Sequence, residues 1–380
     1  MKLCLLLVLV FCARALGLAQ EAKQRWAVNL RDSHTFQSFD RGSHLTWAKQ
    51  QGVVFLAPNR IAVYQVNEKL LPAPLGKRDV NGGGGNFLMD LKVLDAQDGH
   101  QINSIRLPTN AALSEVLPAR SGRFIVRTGD MLYLFSPAFK VLATKSLPLD
   151  RVAPFESWEL DIPPSSGEIV LVHQQLFIHE QVLADGTMIT PGRAKADIEI
   201  LDPDSLKVVK TFSLPNRLEH WSAADQFLVG AHSSRPFHAE EFGVLDFDGQ
   251  WKELKVESTG RESCYAMMAL DRQRVAAFGC NGLAVLSVSG DRIFSSKNRR
   301  HEVFASVAGS ADYLGAISFA ERGPLDSTSK PLHIDLFDLK SGAHLLGLPI
   351  EKNTVYYDVS SQGWLVVLEG ETLKVFAPAN

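Results

Sequence analysis

The 380-residue chain lacks most of what would assign it a chemistry. It has 4 cysteines, and Cys4 and Cys12 both lie in the apolar segment that opens the sequence. Neither sign of charge dominates, with 39 Lys and Arg against 42 Asp and Glu and a net charge of −3. A dedicated nucleic-acid binder carries a strongly basic footprint, so nucleic acid is not expected as a partner. Beyond the first residues no apolar run approaches the roughly 20 residues that a membrane-crossing helix needs, so no membrane insertion is expected of the mature chain. Nor do apolar residues keep a period of about 3.6 between helix caps, which argues against long amphipathic helices. Asn-x-Ser/Thr sequons and a Gly-x-Ser-x-Gly elbow are missing, so neither N-glycosylation nor that hydrolase chemistry is indicated.

What is present begins with an export signature. Lys2 precedes an uninterrupted apolar stretch over residues 3–13, followed by the small residues Ala15, Gly17 and Ala19. A basic start, a short apolar core and small residues at a cleavage point read as a secretory signal, here residues 1–19, with cleavage after Gly17 or Ala19. The expected mature chain, 20–380, is secreted or periplasmic and keeps only Cys264 and Cys280. Both lie in GRESCYAMMALDRQRVAAFGC, which reads as strand, turn and strand. With Leu270 facing Arg274 across a three-residue turn, Cys264 falls opposite Cys280, within reach of a disulfide in an oxidising compartment. A slip of one residue would put the thiols on opposite faces and leave them as two small buried hydrophobes.

The body of the chain repeats. LKVLDAQDGHQINSIRLPT (residues 91–109), LYLFSPAFKVLATKSLPLD (132–150), IEILDPDSLKVVKTFSLPN (198–216) and IDLFDLKSGAHLLGLPIEK (334–352) share one plan. Each runs strand, polar turn, strand and Leu-Pro stop. Shorter relatives start near 244, 283 and 373. Units of about 40–50 residues built of short strands are the mark of propeller blades. Each unit has an apolar strand upstream (53–56, 124–128, 168–173, 227–231, 275–279, 313–319, 364–369), and most have one more, such as 45–48 and 355–359. The last unit ends one strand short, and residues 26–30 are the candidate to complete it, which would hide two open sheet edges. The expectation is all-β: a single-domain, seven-bladed β-propeller of four-stranded antiparallel blades, closed by the N-terminal strand.

The strand–Asp-x-x-x-Gly–strand–Leu-Pro pattern, clearest at Asp95/Gly99 and Asp338/Gly342, resembles the YVTN-type and WD-type repeats of the quinoprotein-like propeller superfamily. The resemblance covers most of residues 26–378. It implies the fold and a tendency to bind ligands at one face of the ring. Asp202 lacks the glycine four residues on, Ser136 replaces the aspartate in another copy, and the glycine-to-Trp docking signature of the quinone-dependent enzymes is missing.

Function in such a scaffold resides in loops. Residues 67–86, 184–196, 232–241 and 320–331 are long connections between second and third strands, so they should crowd one face. Within them His232, His238, Glu240 and Glu241 are the candidate ligand-binding cluster. Imidazole and carboxylate are competent metal ligands, but a site needs three or four that converge, and no further element with ligand spacing follows, so no metal is assigned. His173 and His179 flank an apolar strand and read as core or rim residues. The Gly82–Gly85 run lacks the helix start that an anion site needs. Ser327 and Lys330 match a Ser/Lys hydrolase spacing but precede Pro331 in a loop. The basic run at 297–301 reads as a solvated turn, and Asp202/Asp204 and Asp246/Asp248 read as turn caps. The expectation is a monomeric module binding a protein or small molecule through the long-loop face, with no cofactor and no catalytic residue assigned. The alternative is a lactonase-like hydrolase with polar groups or a metal at the axial channel.

Overall fold

Runs of five to nine residues in which aliphatic and β-branched side chains alternate with polar ones, each cut off by Gly, Pro or Asp, favour short half-buried strands. The structure, a computed structural model, describes residues 23–30, 51–68, 87–109, 114–147, 156–163, 167–175, 181–182, 188–189, 195–233, 241–254, 265–279, 282–297, 299, 302–320, 331–351 and 355–378. Their strands form seven four-stranded antiparallel sheets, six of them with strands in chain order, plus a two-stranded ribbon, Gln181–Val182 with Met188–Ile189.

The innermost strands of blades 1 to 7 are Gln51–Ala57, Ser114–Pro118, Glu156–Asp161, Arg217–Ala224, Tyr265–Ala269, Glu302–Gly309 and Val355–Val359. The second strands are Arg60–Glu68, Phe124–Thr128, Ile169–Gln175, Phe227–Ser233, Arg274–Gly279, Tyr313–Ala320 and Leu365–Glu369. Third come Phe87–Asp95, Met131–Phe135, Ala196–Leu201, Glu241–Asp246, Gly282–Ser287, Pro331–Asp338 and Thr372–Ala377. The outermost strands of blades 1 to 6 are Gln101–Thr109, Val141–Ser146, Val208–Leu214, Trp251–Glu253, Arg292–Ser296 and His344–Pro349. Blade 7 takes Lys23–Asn29, which pairs antiparallel with Thr372–Ala377 from Lys23 opposite Ala377 to Asn29 opposite Thr372.

The second strands are the driest, because they pack on both sides. Phe124–Thr128, for example, is buried at every position. Each apolar cluster therefore lies between blades rather than within one. Ile61, Val63, Val366 and Leu373 join blades 7 and 1. Leu132, Ile169 and Leu171 join blades 2 and 3, and Ile317, Ile334 and Val367 join blades 6 and 7. Seven such clusters close the ring.

Blade 1 departs from the reading of its sequence. Residues 53–56 belong to the innermost strand, not the second, and Arg60–Glu68 is the second strand. Pro58 and Asn59 make the tight turn between them, and a strand at 45–48 is not needed; those residues lie outside the described part.

The turns from third to outermost strand behave as their residues demand. Asp95 Oδ1 accepts from the Gln97 N–H at 2.7 Å, Asp338 Oδ1 from Lys340 at 2.7 Å, and Asp246 Oδ1 from Gln250 at 2.8 Å. In the copy where Ser136 stands for Asp, its hydroxyl accepts from the Lys140 N–H at 3.1 Å. Each turn needs one left-handed residue. Gly99 and Gly342 supply it at φ 79° and 71°, while Leu206 and Phe139 take it at 58° and 63° where glycine is missing. Immediately after this turn most outermost strands carry one extra residue, skipped by the pairing: Ile102, Leu142, Val209, Ile293 and Leu345, with Arg25 in the closing strand.

Candidate functional site: the axial channel and its two mouths

Strand direction fixes which connections share a face. Every second-to-third connection leaves at the end where the innermost strands begin. Blades 2, 5 and 7 close there with tight turns, whereas blades 1, 3, 4 and 6 carry the long connections. Of the candidate residues on these loops, His232 and Glu241 stand opposite each other at the ends of their strands, and His238 and Glu240 lie outside the described residues. The structure thus aligns the backbones of one candidate pair and leaves the rest of the cluster undescribed. Residues 82–85, His179, Ser327, Lys330, Cys264 and Cys280 also lie outside.

At the long-loop mouth a pocket of about 410 Å3 opens between blades 6, 7 and 1, walled by Tyr64, Phe319, Tyr356 and Tyr357. Gly52 makes room for it: a Cβ there would fall 2.3 Å from the Tyr64 ring, so only glycine lets the phenol lie across the innermost strand. Burial raises the Tyr64 and Tyr356 phenols above their usual range, and Glu115 adds to the rise at Tyr64.

On the other side of the ring, blades 2 to 4 place charge beside the channel. The Arg127 side chain is only 5% exposed, with Glu115 Oε2 at 3.8 Å. Burial lowers its guanidinium, while Glu115 and Glu159 pull the other way. Glu159 accepts from Gln174 Nε2 at 2.9 Å and from Trp221 Nε1 at 2.5 Å, which fixes it between blades 3 and 4. Nothing in the period-two pattern marks Arg127, which occupies one position of an ordinary strand.

Toward the short-turn mouth the channel widens to a cavity of about 650 Å3 with wall from every blade. One residue of each innermost strand lines it at a matching place, and five of the seven are Val54, Leu117, Ser222, Met268 and Ala308. The other two are Asp161 of blade 3 and Asp358 of blade 7. Each reaches sideways to the next blade. Asp358 Oδ2 accepts from the Phe55 N–H at 2.7 Å, and Asp161 Oδ2 from the Ala223 N–H at 2.7 Å and the Ser222 hydroxyl at 2.9 Å. The surrounding protein strips water from both and raises them, Asp358 to about 6. A signal for this pair does exist in the sequence: Asp161-Ile162 and Asp358-Val359 end the innermost strand at the same point of two units.

The remaining candidates have structural partners. His173 stacks on Trp158 with ring centres 4.4 Å apart. Of the basic run, Arg299 is tied to buried Asp335, which also meets His344 Nε2 at 2.8 Å. Trp26 donates from Nε1 to Ala96 O at 2.8 Å and packs on Gly99, so one indole–glycine contact exists, at the seam between blades 7 and 1. Among the described residues, the group of three or more potential metal ligands that lie close together is Asp95, Asp98 and His100, on an exposed turn of blade 1. No described helix is long and apolar enough to cross a membrane.

Fold and channel together define a seven-bladed β-propeller. No protein-family profile matches the sequence, and no curated protein matches it. Among solved structures, one in the mitotic checkpoint complex is similar with 12% identity and a TM-score of 0.52, over 96% of this chain and 94% of that one. The acylaminoacyl peptidase of Pyrococcus horikoshii is similar with 10% identity and a TM-score of 0.52, over 87% of this chain. The match spans 53% of the peptidase, so this chain has about half its length. BamB from Moraxella catarrhalis matches with 11% identity, 93% and 99% coverage and a TM-score of 0.42. At such identities a likeness establishes the fold alone.

Proposed function

We propose that the chain is an exported propeller that acts as a binding module and meets a protein or small-molecule partner at its long-loop face. The carrying observation is a coincidence at one mouth: four long connections start and finish around the same opening as the aromatic-walled pocket of Tyr64, Phe319 and Tyr356. Concave sites walled by aromatic side chains are where ligands and partner side chains seat. Export rests on the signal-like residues 1–19. The structurally similar chain of the mitotic checkpoint complex is, by its name, part of a protein assembly, which agrees with a module of this kind. A hydrolase would need several free acid–base groups converging on the axis. The described lining offers mainly small and aliphatic side chains there, and its two carboxyls already accept backbone hydrogen bonds.

The test is site-directed photo-crosslinking in producing cells. A crosslinking residue at exposed Glu351, on the long-loop face, is expected to give a discrete adduct. The same residue at Asp98 or Asp248, on exposed turns of the other face, is expected to give none. Adducts from both faces alike, or from neither, overturn the reading, as does turnover of a lactone and ester panel by purified protein.

A further inference from the structure

Asp161 and Asp358 stand on opposite arcs of the channel, in blades 3 and 7, and among the described residues neither has a cationic partner. Their orientation is fixed. Asp358 spends Oδ1 on the Val359 N–H at 2.8 Å and Oδ2 on Phe55, while Asp161 spends Oδ1 on the Ile162 N–H at 2.8 Å. A carboxylate offers about four acceptor positions, so each keeps capacity on the side that lines the cavity. Arg120 is a cation of the lining, and its guanidinium is held by Asp204 at 2.6 Å near the rim. A charged group with little water around it and no counter-charge is a strong site for a ligand of opposite sign.

An inorganic ion does not fit this arrangement, because it needs several oxygens gathered around one point. The carboxyls are instead on separate walls, with Leu117, Met268 and Val54 supplying apolar surface between them. We propose that the cavity binds an organic dication, two ammonium ends joined by a flexible apolar chain, which enters by the short-turn mouth and places one end on Asp161 and the other on Asp358. This site lies on the face away from the long loops and is independent of the partner surface proposed above.

Calorimetric titration of the purified chain with straight-chain diamines of four to ten carbons, beside the matching diols and monoamines, tests it. Diamines of one optimal length are expected to bind, diols not at all, and monoamines more weakly. Asp161→Asn or Asp358→Asn is expected to lower diamine affinity by about tenfold or more, the loss of one charge-assisted hydrogen bond. If those variants fail to fold, Met268→Lys carries the test, since a tethered ammonium in the wall is expected to abolish binding. No diamine binding, equal binding of diols, or a Met268→Lys variant that binds as the parent does overturns the proposal. Crosslinking from Glu351 is unaffected by any of these outcomes, so the two readings fail separately.

Discussion

Two residues show how much this fold asks of single positions. Gly99 sits at φ 79° and a Cβ there would lie 2.9 Å from the Trp26 ring, whereas Gly249 sits at φ 82° with nothing within 4 Å. A left-handed backbone costs a residue with a Cβ about 1–2 kcal/mol at either site. Gly99→Ala must in addition push Trp26 off the seam, so it is expected to destabilise clearly more than Gly249→Ala in denaturant unfolding. Equal losses would mean that the indole contributes nothing to closure. Asp358 makes a second case. Its carboxyl rises to about 6 in the folded chain, against about 3.9 unfolded. Folding therefore takes up a proton between those values, and this group's contribution falls as pH rises through that window, by up to about 3 kcal/mol once it is ionised. Asp161 shifts in the same direction. The exposed turn carboxylates Asp98, Asp202 and Asp248 are lowered by their hydrogen-bond partners and work the opposite way, losing their contribution as pH falls below the usual carboxylate range. In melting curves from pH 4 to 8 the parent is expected to lose stability relative to Asp358→Asn as pH rises, because only the parent loses this contribution; parallel curves would refute the assignment.

At the scale of strands, most outermost edges are handled in one way, the short edge of blade 4 excepted. An extra residue at the start of the strand bends the edge and spoils its ladder of free N–H groups, a known defence against edge-to-edge pairing. In blades 1, 2, 3 and 5 the residue is nevertheless aliphatic and open to solvent, with Ile102 at 38%, Leu142 at 48%, Val209 at 63% and Ile293 at 50% exposed. Deleting Val209 restores a straight apolar edge beside Val208 and is expected to give concentration-dependent association in light scattering, while Val209→Ala, which keeps the bulge, stays unassociated. Most of the strands are legible in the sequence because alternation, Asp-led turns and Leu-Pro stops agree with one another. The first blade is not, because Pro58-Asn59 makes so tight a turn that two strands read as one short apolar run. The bulges are invisible too, since an added aliphatic in an edge strand looks like one more strand residue. The hairpin of blade 5 pairs Tyr265 with Gly279, the register that a Cys264–Cys280 bridge requires one step further out. Titration of the denatured mature chain is expected to find no free thiol until reductant is added, and two free thiols would leave the hairpin unbridged.

For the whole molecule, the decisive feature is that no blade owns its core. Leu171 and Leu132 are buried between blades 2 and 3, and Leu368 and Ile61 between blades 7 and 1, with the seam of blades 1 and 2 between them. A blade taken alone would expose both faces of its second strand, so its stability is borrowed from two neighbours. This also explains why the candidate site was only partly readable. A strand such as Phe124–Thr128 shows that it is buried, but not that Arg127 in it stands beside Glu115 of the neighbouring strand and feels Glu159 of the next blade. Closure by Lys23–Asn29 pairs a strand that precedes blade 1 with the third strand of blade 7, so blade 7 cannot peel away without breaking that pairing. Leu171→Ala and Leu368→Ala are each expected to cost about 2–5 kcal/mol, the usual loss for a buried leucine. If the ring is one cooperative unit, both substitutions lower one and the same calorimetric transition, although they lie in different seams. Two transitions, with each substitution moving a different one, would mean that the blades unfold in groups and that the N-terminal strand does not lock the ring.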